Sequence, residues 1–207
     1  MGQQQDSGVP SGNQDQRNCL KSPAGLEGGG DDSDLRSLLG LLESHRLAVT
    51  LTRLHMRGLQ YMHPRPGPQQ TFRTEQWLRL SSAATLDLRW WAQRLYYNTS
   101  SSLMSCRTTM EVWTDALGLT GWGGHCARGG QIQGQWTKKQ LPWHINLKEI
   151  LAAHFSLKTL MKDGDIINLH MDSHVAVSFV NKMGGTRSRI LSTAAIDLWK
   201  LVLSKKG

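Results

Sequence analysis

Cysteine, tyrosine and phenylalanine are scarce in this sequence of 207 residues, which holds three of each. The cysteines form no Cys-x-x-Cys pair and their number is odd, which argues against a disulfide framework. No segment approaches the ~20 apolar residues that a membrane span requires. The first residues, Met1 to Asp6, have neither the basic nor the apolar region of a signal peptide. These absences predict a reduced, intracellular protein, cytoplasmic or nuclear, that is not attached to a membrane.

Acidic residues are few outside the first part of the chain. The chain has 24 Lys and Arg against 16 Asp and Glu, a formal net charge of +8. Residues 1–34 hold six of the acids and only two bases, so their net charge is −4 and that of residues 35–207 is +12. A basic body attracts polyanions such as nucleic acids. Charge alone does not separate this interpretation from that of an ordinary basic surface.

Composition divides the chain into three segments. Residues 1–34 are rich in Gln, Gly, Ser, Asn and Asp, which predicts a disordered, acidic and glycine-rich tail. Residues 35–105 carry leucine and tryptophan at helical spacing, interrupted by prolines at 64–68, and therefore predict a helical segment. Ser33 or Asp34 is the expected cap of its first helix.

Residues 106–207 have the pattern of an α/β domain. The expected strands are three antiparallel ones, at 111–115, 123–126 and 131–136, and a fourth at 165–172. The expected helices lie at 146–160, 173–183 and 189–203. Because a helix connects the third strand to the fourth, the fourth strand can lie parallel to the first. That pairing would bring Asp115 and Asp172 to the same end of the sheet.

Three acids of this region have positions suited to metal chemistry. Asp115 ends the first strand before a glycine-rich return, Asp172 ends the fourth strand, and Glu149 lies on the helix between them. Two metal ions that clamp a phosphodiester need several converging carboxylates. Each acid also has a structural interpretation: Asp115 begins a turn, Glu149 completes a capping box with Asn146, or Asp172 caps a helix. Only the joint placement of the three acids favours a site.

Other features also admit two interpretations. The pair Trp90-Trp91 can stack on nucleic acid, although tryptophan more often packs between helices, which is the interpretation we favour. His170 and His174 have zinc-ligand spacing but straddle a strand-to-helix junction, so they do not predict a zinc site on one helix face. The loop at 184–188 can hold a phosphate through its backbone N–H groups or simply end a helix.

Several short motifs occur in a fixed order along residues 108–199. They are Trp113-Thr-Asp-Ala116, Gly121-Trp-Gly123, Gln133-Gly-Gln-Trp136, His144-Ile-Asn-Leu-Lys-Glu149, Met171-Asp-Ser173, Val177-Ser-Phe-Val-Asn-Lys182 and Gly184-Gly-Thr-Arg-Ser188. In this order they resemble the ribonuclease H domain of reverse transcriptases from tyrosine-recombinase (DIRS-type) retrotransposons. Stretches between residues 38 and 91 resemble the connection segment that precedes that domain, so the resemblance covers about residues 35–203.

The resemblance implies a ribonuclease H-like mixed sheet, with three antiparallel strands and a parallel fourth, flanked by helices. It implies that Asp115, Glu149 and Asp172 are catalytic residues and ligands of Mg²⁺ or Mn²⁺. The substrate would be the RNA strand of an RNA–DNA hybrid, cut by an endonuclease. Substrate contacts are expected from Gly121, Trp122, Gly123, Lys138, Lys139, Lys182 and Arg187. For the four basic residues, a solvated basic face is the alternative.

This chain departs from the family pattern in three ways. Leu117 stands where the family usually has Ser, and no Tyr-x-Asp-Asp polymerase motif is present. The family's fifth strand and fourth acid would follow the last helix, where this sequence stops at Gly207, and Asp197 lies too far inside that helix to replace the acid. The sequence therefore resembles a truncated reverse transcriptase fragment. Three functions stay open: a hybrid-cutting nuclease, a catalytically inactive nucleic-acid-binding remnant, and a purely structural interaction module.

Overall fold

The computed structural model describes residues 31–63, 78–96 and 107–205. Most of the expected disordered tail and the proline-rich stretch 64–68 lie outside the described residues. Within the described part of the chain, no helix is both long and apolar enough to cross a bilayer.

The first helix, α1, runs over Asp32–Ser44 and begins earlier than the sequence suggested. Its cap is Asp31, whose side chain accepts a hydrogen bond from the backbone N–H of Asp34 at 2.8 Å. The side chain of Asp34 accepts the bond from the N–H of Asp31 in return. The expected cap at Ser33 or Asp34 was therefore wrong, because this reciprocal capping box outcompetes the later positions in a run of four cap-forming residues. Residues 32–34 belong to the helix and not to a disordered tail.

Two further helices pack against α1. They are α2, Arg57–Met62, and α3, Ser82–Tyr96. Short 3-10 turns, His45–Leu47 and Leu54–Met56, precede α2. The core of this helical unit consists of buried apolar residues, namely Leu35, Leu42, Met56, Leu59, Ala84 and Trp91.

The two adjacent tryptophans of α3 have packing roles. Trp91 is buried and its indole N–H donates to the carbonyl of His55 at 2.9 Å. Trp90 stacks on the ring of His55 with 4.0 Å between the ring centroids, and Arg94 lies over its ring. The packing interpretation of the pair is confirmed: one tryptophan lies in the seam between helices and the other at its edge.

A four-stranded mixed sheet forms the centre of the second unit. Its strands are β1, Met110–Ala116, β2, Gly121–Cys126, β3, Gln131–Gln135, and β4, Ile167–His170. The spatial order is β3-β2-β1-β4, with β2 antiparallel to both of its neighbours and β4 parallel to β1. This architecture is the α/β fold that the sequence predicts, and the parallel fourth strand is confirmed.

Three helices complete this unit, and they are α4, Ile145–Leu160, α5, His174–Asn181, and α6, Arg189–Ser204. Helix α4 packs on β1 and β2 and is covered by α6. The core between them contains Met110, Val112, Cys126, Ala153, Leu157, Met161 and Leu198. Even-numbered residues of β1 are buried, whereas Trp113 and Asp115 are exposed.

Candidate metal centre

The three acids singled out in the sequence come together in the structure. Asp115 is the penultimate residue of β1, Glu149 lies in the second turn of α4, and Asp172 follows the end of β4 by two residues. One carboxylate oxygen from each acid lies within 4.8 Å of the other two. Among the described residues, no other group of three or more His, Cys, Asp or Glu side chains converges in this way.

The register between β1 and β4 explains why Asp115 and Asp172 are neighbours. Trp113 is paired with His170 in the parallel ladder. Two residues further along each chain, in the same direction, are Asp115 and Asp172. Because parallel strands end at the same edge of a sheet, the two carboxylates meet beyond the last paired residues.

Glu149 reaches the same point from inside the core. Its side chain is only 2% exposed, and its Oε2 has no hydrogen-bond partner among the described residues. Burial, followed by the negative charges of Asp172 and Asp115, raises the pKa of Glu149 to about 7. A buried carboxylate oxygen without a donor, next to two more carboxylates, fits a hard divalent cation that takes oxygen ligands.

The structural interpretations of Glu149 and Asp172 as helix caps are wrong. The cap of α4 is His144, whose Nδ1 accepts from the N–H of Asn146 at 3.1 Å. The cap of α5 is Ser173, whose hydroxyl oxygen accepts from the N–H of Ala176 at 3.2 Å. Because these residues cap the N-termini of α4 and α5, neither Glu149 nor Asp172 is needed as a helix cap.

Two of the expected substrate contacts in β2 are explained by packing. A Cβ at Gly121 would lie 2.1 Å from the carbonyl oxygen of Gly134, so only glycine lets β3 approach this closely. Trp122 lies over Gly134 and packs against Phe155 of α4, with 5.1 Å between the ring centroids. Gly121 is thus packed against the backbone of β3, and Trp122 contacts both β3 and α4.

Unlike Gly121 and Trp122, Gly123 borders a groove beside Asp115. A Cβ there would have only the carbonyl oxygen of Ile132 near it, at 3.7 Å. Trp113 also lines this groove and is stacked between two imidazoles, with ring centroids 5.0 Å from His125 and 4.9 Å from His170. Nε2 of His170 also contacts a carboxylate oxygen of Glu111.

The four expected basic contacts lie in two exposed segments. Lys138 and Lys139 lie in the turn after β3, and Lys182 and Arg187 lie in the segment between α5 and α6. No ion pair joins any of the four to another described residue.

Lys148 is a residue that the sequence analysis missed. It is 1% exposed, and its ammonium group donates to the carbonyl oxygens of Gly118 and Leu141, the latter at 2.8 Å. It thereby ties the β1–β2 turn and the segment before α4 to the helix that carries Glu149. Lys148 lies four residues before the buried Ala152, on the same face of α4, and this helical spacing was the signal in the sequence that could have found it.

Asp197 does not take part in the cluster. It lies within α6 and forms an ion pair with Lys200 at 3.3 Å. The structure therefore agrees with the expectation that Asp197 is not a replacement for a fourth acid.

Comparison with known proteins gives a limited result. No protein-family model matches the chain, and no curated protein matches it. Among solved structures, a foamy viral protease–reverse transcriptase in complex with double-stranded DNA is similar, with 16% sequence identity and a TM-score of 0.31. The match covers 84% of this chain and 30% of that chain, so this chain spans less than a third of the viral one. The strand order and the three converging acids carry the interpretation of the site.

Proposed function

We propose that this protein is a ribonuclease H-like endonuclease of retroelement origin, which hydrolyses the RNA strand of RNA–DNA hybrids with Mg²⁺ or Mn²⁺. The observation that carries the proposal is the convergence of Asp115, Glu149 and Asp172 within 4.8 Å at the end of two parallel strands. The motif resemblance supports the reaction class. The order β3-β2-β1-β4 supports it further, because it matches the mixed sheet that the resemblance implies.

The three acids would hold the metal ions, which supply an activated water and neutralise charge on the leaving oxygen when they are bound. Asp115 and Asp172 are exposed, so their oxygens are accessible to ions and to substrate from solvent. The backbone N–H of Ala116 donates to Asp115 Oδ1 at 2.8 Å and so restrains this carboxylate. Glu149 has a pKa near neutrality, and a bound cation would favour its ionised form and release its proton.

The basic residues around the sheet would hold the phosphate backbone. Lys138 and Lys139 after β3, and Lys182 and Arg187 between α5 and α6, are exposed and have no acidic partner among the described residues. Each phosphate contact of this kind releases counterions and adds affinity without reading sequence. A net charge of +12 on residues 35–207 supports a polyanionic substrate.

The direct test is cleavage of an end-labelled RNA–DNA hybrid with Mg²⁺ or Mn²⁺. Asp115→Asn, purified identically, is the control for contaminating nuclease. Asparagine has nearly the same shape as aspartate, and Asp115 is exposed, so we expect this substitution to leave the fold intact. We expect the parent to cut and the variant to lose at least about 100-fold in rate, since a metal ligand is removed. Equal cleavage by the two proteins would contradict the proposal.

A catalytically inactive nucleic-acid-binding remnant is the second candidate. It is favoured by the number of ligands, because the cluster contains three carboxylates and no fourth acid joins it among the described residues. A second metal ion would then have few protein ligands. Retention of the hybrid that weakens steeply with salt, without cutting in either metal, would establish this candidate.

A further inference from the structure

The segment between α5 and α6, which we call the basic loop (Lys182–Ser188), has a defined and unusual backbone. Met183 and Gly184 have positive φ angles of 53° and 101°. The N–H of Gly184 donates back to the carbonyl of Phe179 at 2.7 Å, which closes the C-terminal end of α5. The N–H of Gly185 donates to the hydroxyl of Ser192 at 3.1 Å. The loop is therefore folded tightly against the two helices that flank it.

Two side chains from α2 hold the carbonyl groups of this loop. Arg57 is only 8% exposed, and its guanidinium donates to the carbonyl oxygens of residues 182 to 184, at 3.2 Å for Met183 and 3.0 Å for Gly184. Tyr61, one helical turn later, donates its hydroxyl to the carbonyl oxygen of Gly185 at 2.8 Å. Four consecutive carbonyls of the loop are thus bound by one face of α2.

The chemistry of these contacts is specific to arginine. The carbonyls lie at the C-terminal end of α5, where the helix dipole is negative and a cation is favoured. A guanidinium carries five N–H donors in a planar fork and serves several acceptors at once, which an ammonium group cannot do in a fixed geometry. Arg57 also donates to the side-chain carbonyl of Gln60, and none of its contacts among the described residues is an ion pair with a carboxylate. The backbone of the basic loop therefore supplies most of the hydrogen-bond acceptors of this buried charge.

If Arg57 served only to pack α2 against α5, a buried charge would not be needed. Apolar side chains can pack helices together without the cost of desolvating a guanidinium group. Hydrogen bonds to successive carbonyls instead fix the backbone conformation of the loop. Lys182 and Arg187 are exposed on this loop and are not in ion pairs with described residues. Arg189, just after the loop, lies over the ring of Tyr61 at 5.0 Å.

We propose that Arg57 and Tyr61 are positioning residues, which hold the basic loop in the conformation that presents Lys182 and Arg187 to the phosphates of a bound nucleic acid. The inference rests on the proposed function, since it concerns how the same substrate is held. It also gives the first helical unit a role in substrate binding, although none of its own residues needs to touch the substrate.

The length of α5 sets the distance between this contact and the acids. Eight helical residues span about 12 Å, which corresponds to about three to four base pairs of duplex. The other end of α5 is held separately, because the hydroxyl of Ser173 donates to the side-chain carbonyl of Asn146 at 3.2 Å. Loosening the basic loop should therefore weaken binding while Asp172 stays in place.

The test is a cycle of variants in equilibrium binding of an RNA–DNA hybrid, with a chelator present to prevent cleavage. The proteins are the parent, Arg57→Met, the double variant Lys182→Gln/Arg187→Gln, and the three substitutions combined. We expect about a tenfold loss of affinity in each of the first two variants. We expect no further loss in the combined variant, because Arg57 acts only through the two basic residues.

Two more variants keep the test independent of the folding of Arg57→Met. Tyr61→Phe removes one hydrogen bond to Gly185 and should lower affinity about two- to threefold, again only when Lys182 and Arg187 are present. Arg57→Lys should restore part of the affinity, since one ammonium replaces only part of the fork. In cleavage assays, Tyr61→Phe and Arg57→Lys should raise KM for the hybrid and leave kcat unchanged.

Multiplicative losses in the combined variant, or unchanged binding by both Arg57→Met and Tyr61→Phe, would overturn the inference. A parent that binds the hybrid but does not cut it would contradict the nuclease activity, and the binding cycle would still decide the role of Arg57. A parent that binds no hybrid at low salt would overturn both.

Discussion

At the scale of single residues, the surroundings of Glu149 disfavour its ionised form. Its carboxylate is almost fully buried beside two other acids, and these surroundings raise its pKa to about 7 from an ordinary value of 4.5. Without a cation, ionised Glu149 therefore costs folding free energy. A metal site accounts for the cost, since a bound divalent ion reverses the sign of the local potential.

This conflict predicts a pH dependence of stability in the metal-free protein. Because the pKa of Glu149 is higher in the folded state, the unfolded chain ionises first as pH rises, and stability falls between about pH 4.5 and 7. At 1.4 kcal/mol per pKa unit, the loss at pH 8 is up to about 3 kcal/mol. Glu149→Gln should remove this loss. Urea unfolding in a chelator at pH 5 and pH 8 measures it, and identical pH dependence in the two proteins would contradict the account.

Lys148 provides a second prediction at this scale. Replacing it by Met leaves the carbonyls of Gly118 and Leu141 without their buried donor, at a cost of about 2–3 kcal/mol. Lys139→Met is the matched control, since Lys139 is exposed and should change stability by less than about 0.5 kcal/mol. Urea unfolding of both variants measures the difference. If Lys148→Met were as mild as the control, Lys148 would not hold these segments together.

At the scale of elements, two of the three glycines of β2, Gly121 and Gly123, look equivalent in the sequence but are not. A methyl group at Gly121 would collide with the backbone of Gly134, whereas one at Gly123 would meet only an oxygen at 3.7 Å. We expect Gly121→Ala to lower the free energy of unfolding by about 2 kcal/mol or more and Gly123→Ala by less than about 1 kcal/mol. Thermal unfolding of the pair tests this. Equal destabilisation would mean that β3 does not lie as close to Gly121 as described.

The existence and type of the elements in residues 107–205 were predictable from the sequence. The run of β-favouring residues before Asp115, and the apolar stripe after Asn146, predict a strand and a helix at the positions observed for β1 and α4. The helix caps were less predictable. Asp31, Asp32, Ser33 and Asp34 are all cap-forming residues, and local sequence does not decide among them. The strand register could not be predicted from the sequence either. The expected parallel pairing of the first and fourth strands was nevertheless enough to predict that Asp115 and Asp172 lie at the same end of the sheet.

At the scale of the whole molecule, long-range contacts were the part that no local pattern could show. Arg57 is about 125 residues away from the carbonyls that it binds, and in the sequence it is one of several arginines on an amphipathic helix. The burial of Lys148 has the same explanation. A charged side chain becomes buried only when distant backbone supplies its partners, and that depends on tertiary packing.

The charge of the whole molecule predicts a salt-dependent interaction with nucleic acid. Each Lys or Arg that contacts a phosphate adds about one unit to the slope of log affinity against log salt concentration. Removing both charges with Lys138→Gln/Lys139→Gln should therefore reduce the slope by about 2. Lys158→Gln/Lys200→Gln removes the same charge from α4 and α6 and is the control. Titrations of a hybrid at several salt concentrations measure the slopes, and equal slopes for the two double variants would show that Lys138 and Lys139 make no phosphate contacts.

Binding of a divalent cation by the three acids tests the central claim most directly. Titration with Mn²⁺, followed by the electron paramagnetic resonance signal of the free ion, measures binding without any substrate. We expect saturable binding by the parent and by Asp197→Asn, whose acid lies outside the cluster. We expect affinity at least about tenfold weaker in Asp115→Asn and in Asp172→Asn, because each loses a ligand. Equal Mn²⁺ binding by all four proteins would contradict the account, since the ion would then be held somewhere other than at Asp115, Glu149 and Asp172.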